Sequence, residues 1–106
     1  MAWIFLFVAG VLEIVWAYSM KLSQGFTRGV PTVVTIAAML ASFALLSISM
    51  KSLPLGTAYT VWTGIGAVGA FLVGVVVLGE PLTAGRVLGA ALIVAGLSVM
   101  KLATPG

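Results

Sequence analysis

The chain has 106 residues, of which 62% are hydrophobic and only 7% are charged, and its formal net charge is +3. Soluble domains carry about 25% charged residues, so this composition places the chain in lipid rather than in water. It contains neither cysteine nor histidine, which excludes Ser-His-Asp and Cys-His catalysis and thiolate or imidazole metal sites. We therefore expect neither an enzyme nor a bound metal or cofactor.

Four apolar segments are long enough to cross a bilayer as helices, which takes about 20 residues for a hydrocarbon core of about 30 Å. The predicted helices cover about residues 2–20, 30–50, 55–78 and 84–101. The connectors between them are short and hold most of the charged residues. The sequence therefore predicts an all-α fold with a single transmembrane domain over residues 1–106.

The first predicted helix carries Glu13, which is the only acidic residue inside a predicted span. A carboxylate in the middle of a span costs about 2.5–3.5 kcal/mol, so we expect it to have a function. No Lys or Arg lies mid-span to pair with it. Its neighbours at helical spacing are small or aromatic: Ala9, Gly10, Trp16 and Ala17. A carboxylate with an aromatic wall such as Trp16 is suited to an organic cation.

The second and third helices supply further candidates for the same site. Ser42 lies in the middle of the second helix, where its hydroxyl either orients Glu13 or bonds to its own helix backbone. Tyr59 and Trp62 share one face of the third helix, where Tyr59 could hydrogen-bond the carboxylate and Trp62 could flank a cation. An interfacial aromatic belt is the alternative, and it suits Tyr59, near the helix start, better than Trp62.

The third helix also contains Gly64, Gly66 and Gly69 in the pattern G-x-G-x-x-G. A dinucleotide site with this pattern needs a preceding strand and a βαβ unit, and neither is predicted. Three glycines within a membrane helix instead indicate close packing or a bend. We assign them to a bend, which would let one helix adopt two shapes, as alternating access requires.

The fourth helix has small residues on one stripe, where Gly85 and Gly89 form G-x-x-x-G and Gly96 lies one heptad after Gly89. Such stripes let helices in lipid approach closely, so we predict a dimer seam through Gly89 and Gly96. Packing within one chain is the alternative. Glu80, in the preceding connector, is interpreted as a solvated interfacial charge.

The basic residues are almost evenly divided between the two sides of the membrane. An even number of helices places both termini on one side with Lys51 and Lys101, whereas Lys21, Arg28 and Arg86 lie on the other. Orientation follows the difference in Lys and Arg, so we expect insertion in both orientations and an antiparallel homodimer. The alternative is that one charge decides the orientation. Because these charges are dispersed singly, lipid is the expected partner and nucleic acid is not.

The chain resembles the small multidrug resistance family of four-helix bacterial exporters over essentially its whole length. The resemblance rests on Glu13, on residues 25–28 (Gly-Phe-Thr-Arg), and on residues 54–64 (Pro-Leu-Gly-Thr-Ala-Tyr-Thr-Val-Trp-Thr-Gly). Trp16 and residues 62–69 resemble the guanidinium-exporter subtype of that family.

This resemblance implies an antiparallel homodimer in the bacterial inner membrane that exchanges protons for guanidinium ions. By position, Glu13 would bind the proton or the cation, and the site would be lined by Trp16, Ser42, Tyr59 and Trp62. The fourth helix would be the dimerisation helix, with its two seam glycines at the contact.

Proton coupling has to pass through Glu13, because no other carboxylate lies at membrane depth. Either protons or a cation can neutralise the two Glu13 carboxylates of a dimer, but not both at full occupancy, and this exclusion gives antiport without ATP. Guanidinium can donate two parallel N–H bonds to a carboxylate, which a quaternary ammonium ion cannot do. A broad exporter of quaternary ammonium or other lipophilic cations and a non-transporting membrane assembly subunit are the alternatives.

Overall fold

The computed structural model describes residues 1–104, which form four α-helices joined by short connectors. The helices are α1 (Ala2–Leu22), α2 (Gly29–Ser49), α3 (Leu55–Val76) and α4 (Ala84–Ala103). Each helix is long and apolar enough to cross a membrane, because about 20 residues at 1.5 Å each span about 30 Å. The predicted all-α, four-helix fold is confirmed.

The four helices lie side by side in the order α4, α3, α1, α2. The central helix α1 packs against α2 and α3, and α2 also touches α3. The helix α4 packs along α3 and reaches α1 through side chains of its last turn, where Lys101 lies 4.8 Å from the centroid of the Trp3 ring. The molecule measures 42 × 34 × 16 Å, and the shortest extent is little more than the diameter of one helix, about 10–12 Å. The protomer is therefore flat, with α1, α2 and α3 in mutual contact and α4 at one edge.

The core lies between α1, α2 and α3. Leu6, Ala9 and Ala58 are completely buried there, and Trp62 is nearly so. In contrast, no residue of α4 is buried in the described chain. A helix that buries so little within its own protomer leaves most of its surface for lipid or for another chain.

An ion pair fixes the connector between α3 and α4, so Glu80 is not simply a solvated charge. Arg86 Nη2 donates to Glu80 Oε1 at 3.2 Å, and Arg86 Nη1 donates to the Pro81 carbonyl. The guanidinium also lies 5.0 Å from the centroid of the Phe71 ring. Because both charged side chains are partly exposed, the ion pair contributes only about 0–1 kcal/mol. Its main consequence is geometric, since it joins the start of α4 to the end of α3.

Candidate functional site

The Glu13 side chain lies in the seam between α1 and α3, in space left free by a glycine. A Cβ added to Gly66 would overlap the Glu13 carboxylate, so the two helices meet here only because one residue has no side chain. Glu13 Oε1 is buried, and within residues 1–104 it has no hydrogen-bond partner. A buried polar atom with no partner needs an explanation, which makes Glu13 the first candidate for a binding group.

A row of four aromatic rings begins one helical turn from this carboxylate. Trp16 on α1 packs edge-on against Phe43 on α2, with 6.4 Å between ring centroids. Phe43 packs edge-on against Trp62 on α3 at 5.8 Å, and Trp62 is 5.6 Å from Tyr59. The structure thus brings three predicted site residues into one row: Trp16, Tyr59 and Trp62. The indole nitrogen of Trp16 is buried and has no hydrogen-bond partner in the described part of the chain.

Phe43 joins the tryptophans of α1 and α3, and sequence analysis did not single it out. It follows Ser42 within an apolar stretch of α2, where a phenylalanine has no feature that separates a site residue from one facing lipid. Its position next to Ser42 is the only feature of the sequence that points to it. Its aromatic contacts depend on how α2 is rotated against α1 and α3.

Ser42 is completely buried and joins three helices through its hydroxyl. Ser42 Oγ donates to the Ala9 carbonyl on α1 at 2.7 Å and accepts a hydrogen bond from Trp62 Nε1 on α3 at 2.9 Å. The hydroxyl therefore bonds neither its own helix backbone nor Glu13, the two options that its position suggested. In this conformation it orients the Trp62 ring and holds α2 against α1.

Tyr59 lies too far along α3 to reach the Glu13 carboxylate of its own chain. It precedes Gly66, which contacts Glu13, by seven residues, or about 10 Å of helix rise. Tyr59 is 54% exposed, and its described contact is with the Trp62 ring. The expected hydrogen bond from Tyr59 to this carboxylate is therefore absent within the described chain.

The three glycines assigned to a bend lie in an α-helix that runs without interruption from Leu55 to Val76. All three are close-packed. A Cβ on Gly64 would lie 2.6 Å from Leu97 Cδ2 of α4, and one on Gly69 would overlap Ile14 of α1, as one on Gly66 would overlap Glu13. Close packing accounts for them in this conformation, and the bend stays a prediction.

The two seam glycines on α4 are open. A Cβ on Gly89 or Gly96 would meet no atom of the described chain within 4 Å. Gly96 lines a groove of about 470 Å³ between α3 and α4, and Gly89 lines an adjoining one of about 210 Å³. Packing within the protomer therefore does not fill the space beside them, and the dimer seam stays a prediction.

Replacing Ser42 with Ala is expected to destabilise the protein by about 1–3 kcal/mol, because Trp62 Nε1 would remain buried without its acceptor. The measurement is the thermal unfolding midpoint of the purified protein in detergent. Ser47→Ala, at an exposed position of the same helix, is the control and should leave the midpoint unchanged. Equal midpoints for the two variants would argue against the Ser42 network.

Comparison with known proteins identifies the family of this chain. The model of the Small Multidrug Resistance protein family matches residues 1–93. The chain belongs to the small multidrug resistance family. With its four spanning helices, this member of the family is a multi-pass transporter of the bacterial inner membrane.

Several curated members of the family match nearly the whole chain. The "Guanidinium exporter" of Citrobacter freundii is 55% identical over 104 residues, which cover 98% of this chain and 99% of that protein. The proteins of the same name from Yersinia pestis and Proteus vulgaris are each 54% identical, over 98% of this chain and 100% of theirs.

Proposed function

We propose that this protein exports guanidinium from the cell in exchange for protons. The observation that carries the proposal is the buried, unpartnered carboxylate oxygen of Glu13 beside an aromatic row that starts at Trp16. A charge in lipid without a basic partner needs a neutralising companion. The names of the relatives indicate that guanidinium is the cation.

The chemistry of the site fits guanidinium. The ion is planar, and two of its N–H groups can donate in parallel to one carboxylate. Its faces can stack on Trp16 or Trp62, because an indole ring attracts a cation over its face. A quaternary ammonium ion has no N–H donor, so it would gain only charge and aromatic contact.

The coupling of guanidinium export to proton uptake follows from competition for one group, the Glu13 carboxylate. Glu13 is the only carboxylate in a spanning helix, so a proton and guanidinium cannot both neutralise it at the same time. We assume that the site can change its access from one side of the membrane to the other only when Glu13 is neutralised. Each outward movement of the cation then requires the return of a proton. No ATP is needed, because the proton gradient provides the free energy.

We further propose that the working unit is an antiparallel homodimer. The protomer is only 16 Å thick and leaves Phe43 and Tyr59 of the aromatic row exposed, so a second copy on that face would complete the site. The helix α4 buries none of its described residues and has open glycines at positions 89 and 96, so it offers a surface for close helix contact in lipid. The balance of three basic residues against two supports opposite orientations of the two copies.

The function is tested with purified protein in liposomes loaded with a pH-sensitive dye. A guanidinium gradient should drive proton movement in the opposite direction, and empty liposomes should show none. Flux with a tetraalkylammonium gradient but not with guanidinium would instead favour a broad exporter of lipophilic cations. Absence of flux with either ion would favour a non-transporting membrane protein.

Dual insertion is tested with a single introduced cysteine, because the chain has none of its own. In Ser52→Cys, in the connector between α2 and α3, a membrane-impermeant maleimide should label about half of the molecules in intact cells, as expected for nearly balanced charge. Adding Leu82→Lys on the opposite side should hold that side in the cytoplasm and raise labelling toward completion.

Leu82→Gln is the matched control and should leave labelling at the level of Ser52→Cys alone. Labelling that is complete or absent in Ser52→Cys, before any charge is added, would contradict dual insertion.

A further inference from the structure

A groove of about 250 Å³ lies where α1, α3 and α4 meet. Its lining is apolar along most of its length and polar at one end. The residues used below are Trp3 and Phe7 of α1, Val61 and Ile65 of α3, and Leu97 and Lys101 of α4. This groove is separate from the aromatic row and from Glu13.

The polar end of the groove holds a lysine that has no acidic side chain to pair with. Lys101 Nζ lies 4.8 Å from the centroid of the Trp3 ring. The chain has only two acidic side chains: Glu80 pairs with Arg86 at the opposite end of α4, and Glu13 lies mid-span.

A 3.1 Å hydrogen bond between Thr57 and Thr104 fastens the end of α4 to the start of α3. Lys101 is thus held at the mouth of the groove, and no acidic side chain of residues 1–104 pairs with it.

The groove changes from charged to apolar along the membrane normal. Lys101 and Trp3 lie at the membrane surface, near the ends of their helices. Leu97 and Phe7 are each one helical turn deeper, by about 6 Å. The side chains beneath the cation and the indole are apolar except for Ser98, whose hydroxyl donates to the Val94 carbonyl of its own helix. This order matches a phospholipid, with its phosphate outside and its acyl chain inside.

We propose that this groove binds one anionic phospholipid, with its phosphate at Lys101 and an acyl chain between Phe7, Ile65 and Leu97. Charge favours a lipid over a second copy of the chain. A second copy carries a net charge of +3, its Glu80 is already paired with Arg86, and its Glu13 lies mid-span, so it offers no unpaired acidic side chain at the membrane surface. The two open seam glycines line the other grooves between α3 and α4, not this one.

The test is native mass spectrometry of the full chain in detergent with equimolar phosphatidylglycerol and phosphatidylcholine. Wild type should retain phosphatidylglycerol with about five-fold preference, which is the factor that one lysine near an anionic surface provides. Lys101→Gln should abolish the preference and Lys101→Arg should keep it. Lys51→Gln, which removes a lysine on the same side but outside the groove, should also keep it.

The location of the lipid is tested by fluorescence in phosphatidylcholine bilayers that contain phosphatidylglycerol with brominated acyl chains. Bromine quenches the fluorescence of a tryptophan that it contacts. The brominated lipid should therefore quench the wild-type protein more than the Trp3→Phe variant. This additional quenching should disappear when Lys101→Gln is introduced. Equal retention of the two lipids would overturn the proposal, as would equal losses of preference in Lys51→Gln and Lys101→Gln. Loss of dimer mass together with lipid in Lys101→Gln would assign the groove to a second copy instead.

Discussion

Glu13→Gln is expected to reduce guanidinium-driven proton flux in liposomes to the level of liposomes without protein. The amide keeps the size of the side chain but can neither take up a proton nor attract a cation. Loss of a charged hydrogen bond of about 1.5–3 kcal/mol alone would weaken guanidinium binding by about 10- to 100-fold. Loss of the proton site would in addition remove the coupling. The measurement is the initial rate of dye response after a guanidinium gradient is imposed.

Glu80→Gln is the matched control, because it makes the same chemical change at the only other acidic residue. Glu80 lies in the connector between α3 and α4, where its ion pair with partly exposed Arg86 contributes little to stability. Flux should therefore persist in this variant. Undiminished flux in Glu13→Gln would contradict the proposed mechanism, even if the wild-type protein transports guanidinium.

The helices could be predicted from the sequence because lipid leaves the backbone few choices. Within the bilayer every N–H and C=O group must be bonded internally, so an apolar stretch of about 20 residues becomes a helix. The observed ends differ from the predicted ones by at most two residues, as at α1, which ends at Leu22 rather than near residue 20. The termini are less sharply defined because flanking polar residues, such as Lys21, extend a helix by snorkelling.

Glu13 could be singled out as a candidate for a different reason. A carboxylate inside a membrane span has a high free-energy cost, and this cost can be read directly from the sequence. The partners of Ser42 could not be predicted, because they depend on the rotation of α2 against its neighbours. The role of Phe43 could not be predicted either. An aromatic residue in an apolar helix has no free-energy cost that would distinguish a position facing lipid from one facing a binding site.

The glycines of α3 show most clearly what cannot be predicted from the sequence alone. Their spacing predicts that some neighbour comes close, but not which neighbour. Gly64 meets Leu97 of α4, whereas Gly66 meets the Glu13 carboxylate of α1. Only the packing of three helices distinguishes a glycine that admits an aliphatic side chain from one that admits the charged group of the site.

Gly66→Ala is therefore expected to impair transport severely while the chain still folds and inserts. The new methyl group would occupy space that the Glu13 carboxylate fills, so the carboxylate or the α1–α3 contact has to shift. Overpacking of this kind costs about 1–3 kcal/mol. If that cost falls on the site, the rate should drop by about 10- to 100-fold. The measurement is guanidinium-driven proton flux, with the amount of folded protein in the liposomes determined for each variant.

Gly56→Ala is the matched control on the same helix, because a Cβ there would meet no atom of the described chain within 4 Å. Both substitutions replace glycine by a better helix former, which favours the helix by up to about 1 kcal/mol. A general effect on α3 would therefore appear in both variants and with the same sign. Loss of flux in Gly66→Ala alone would locate the effect at the Glu13 carboxylate. Equal flux in both variants would show that the site does not depend on the space that Gly66 leaves for this carboxylate.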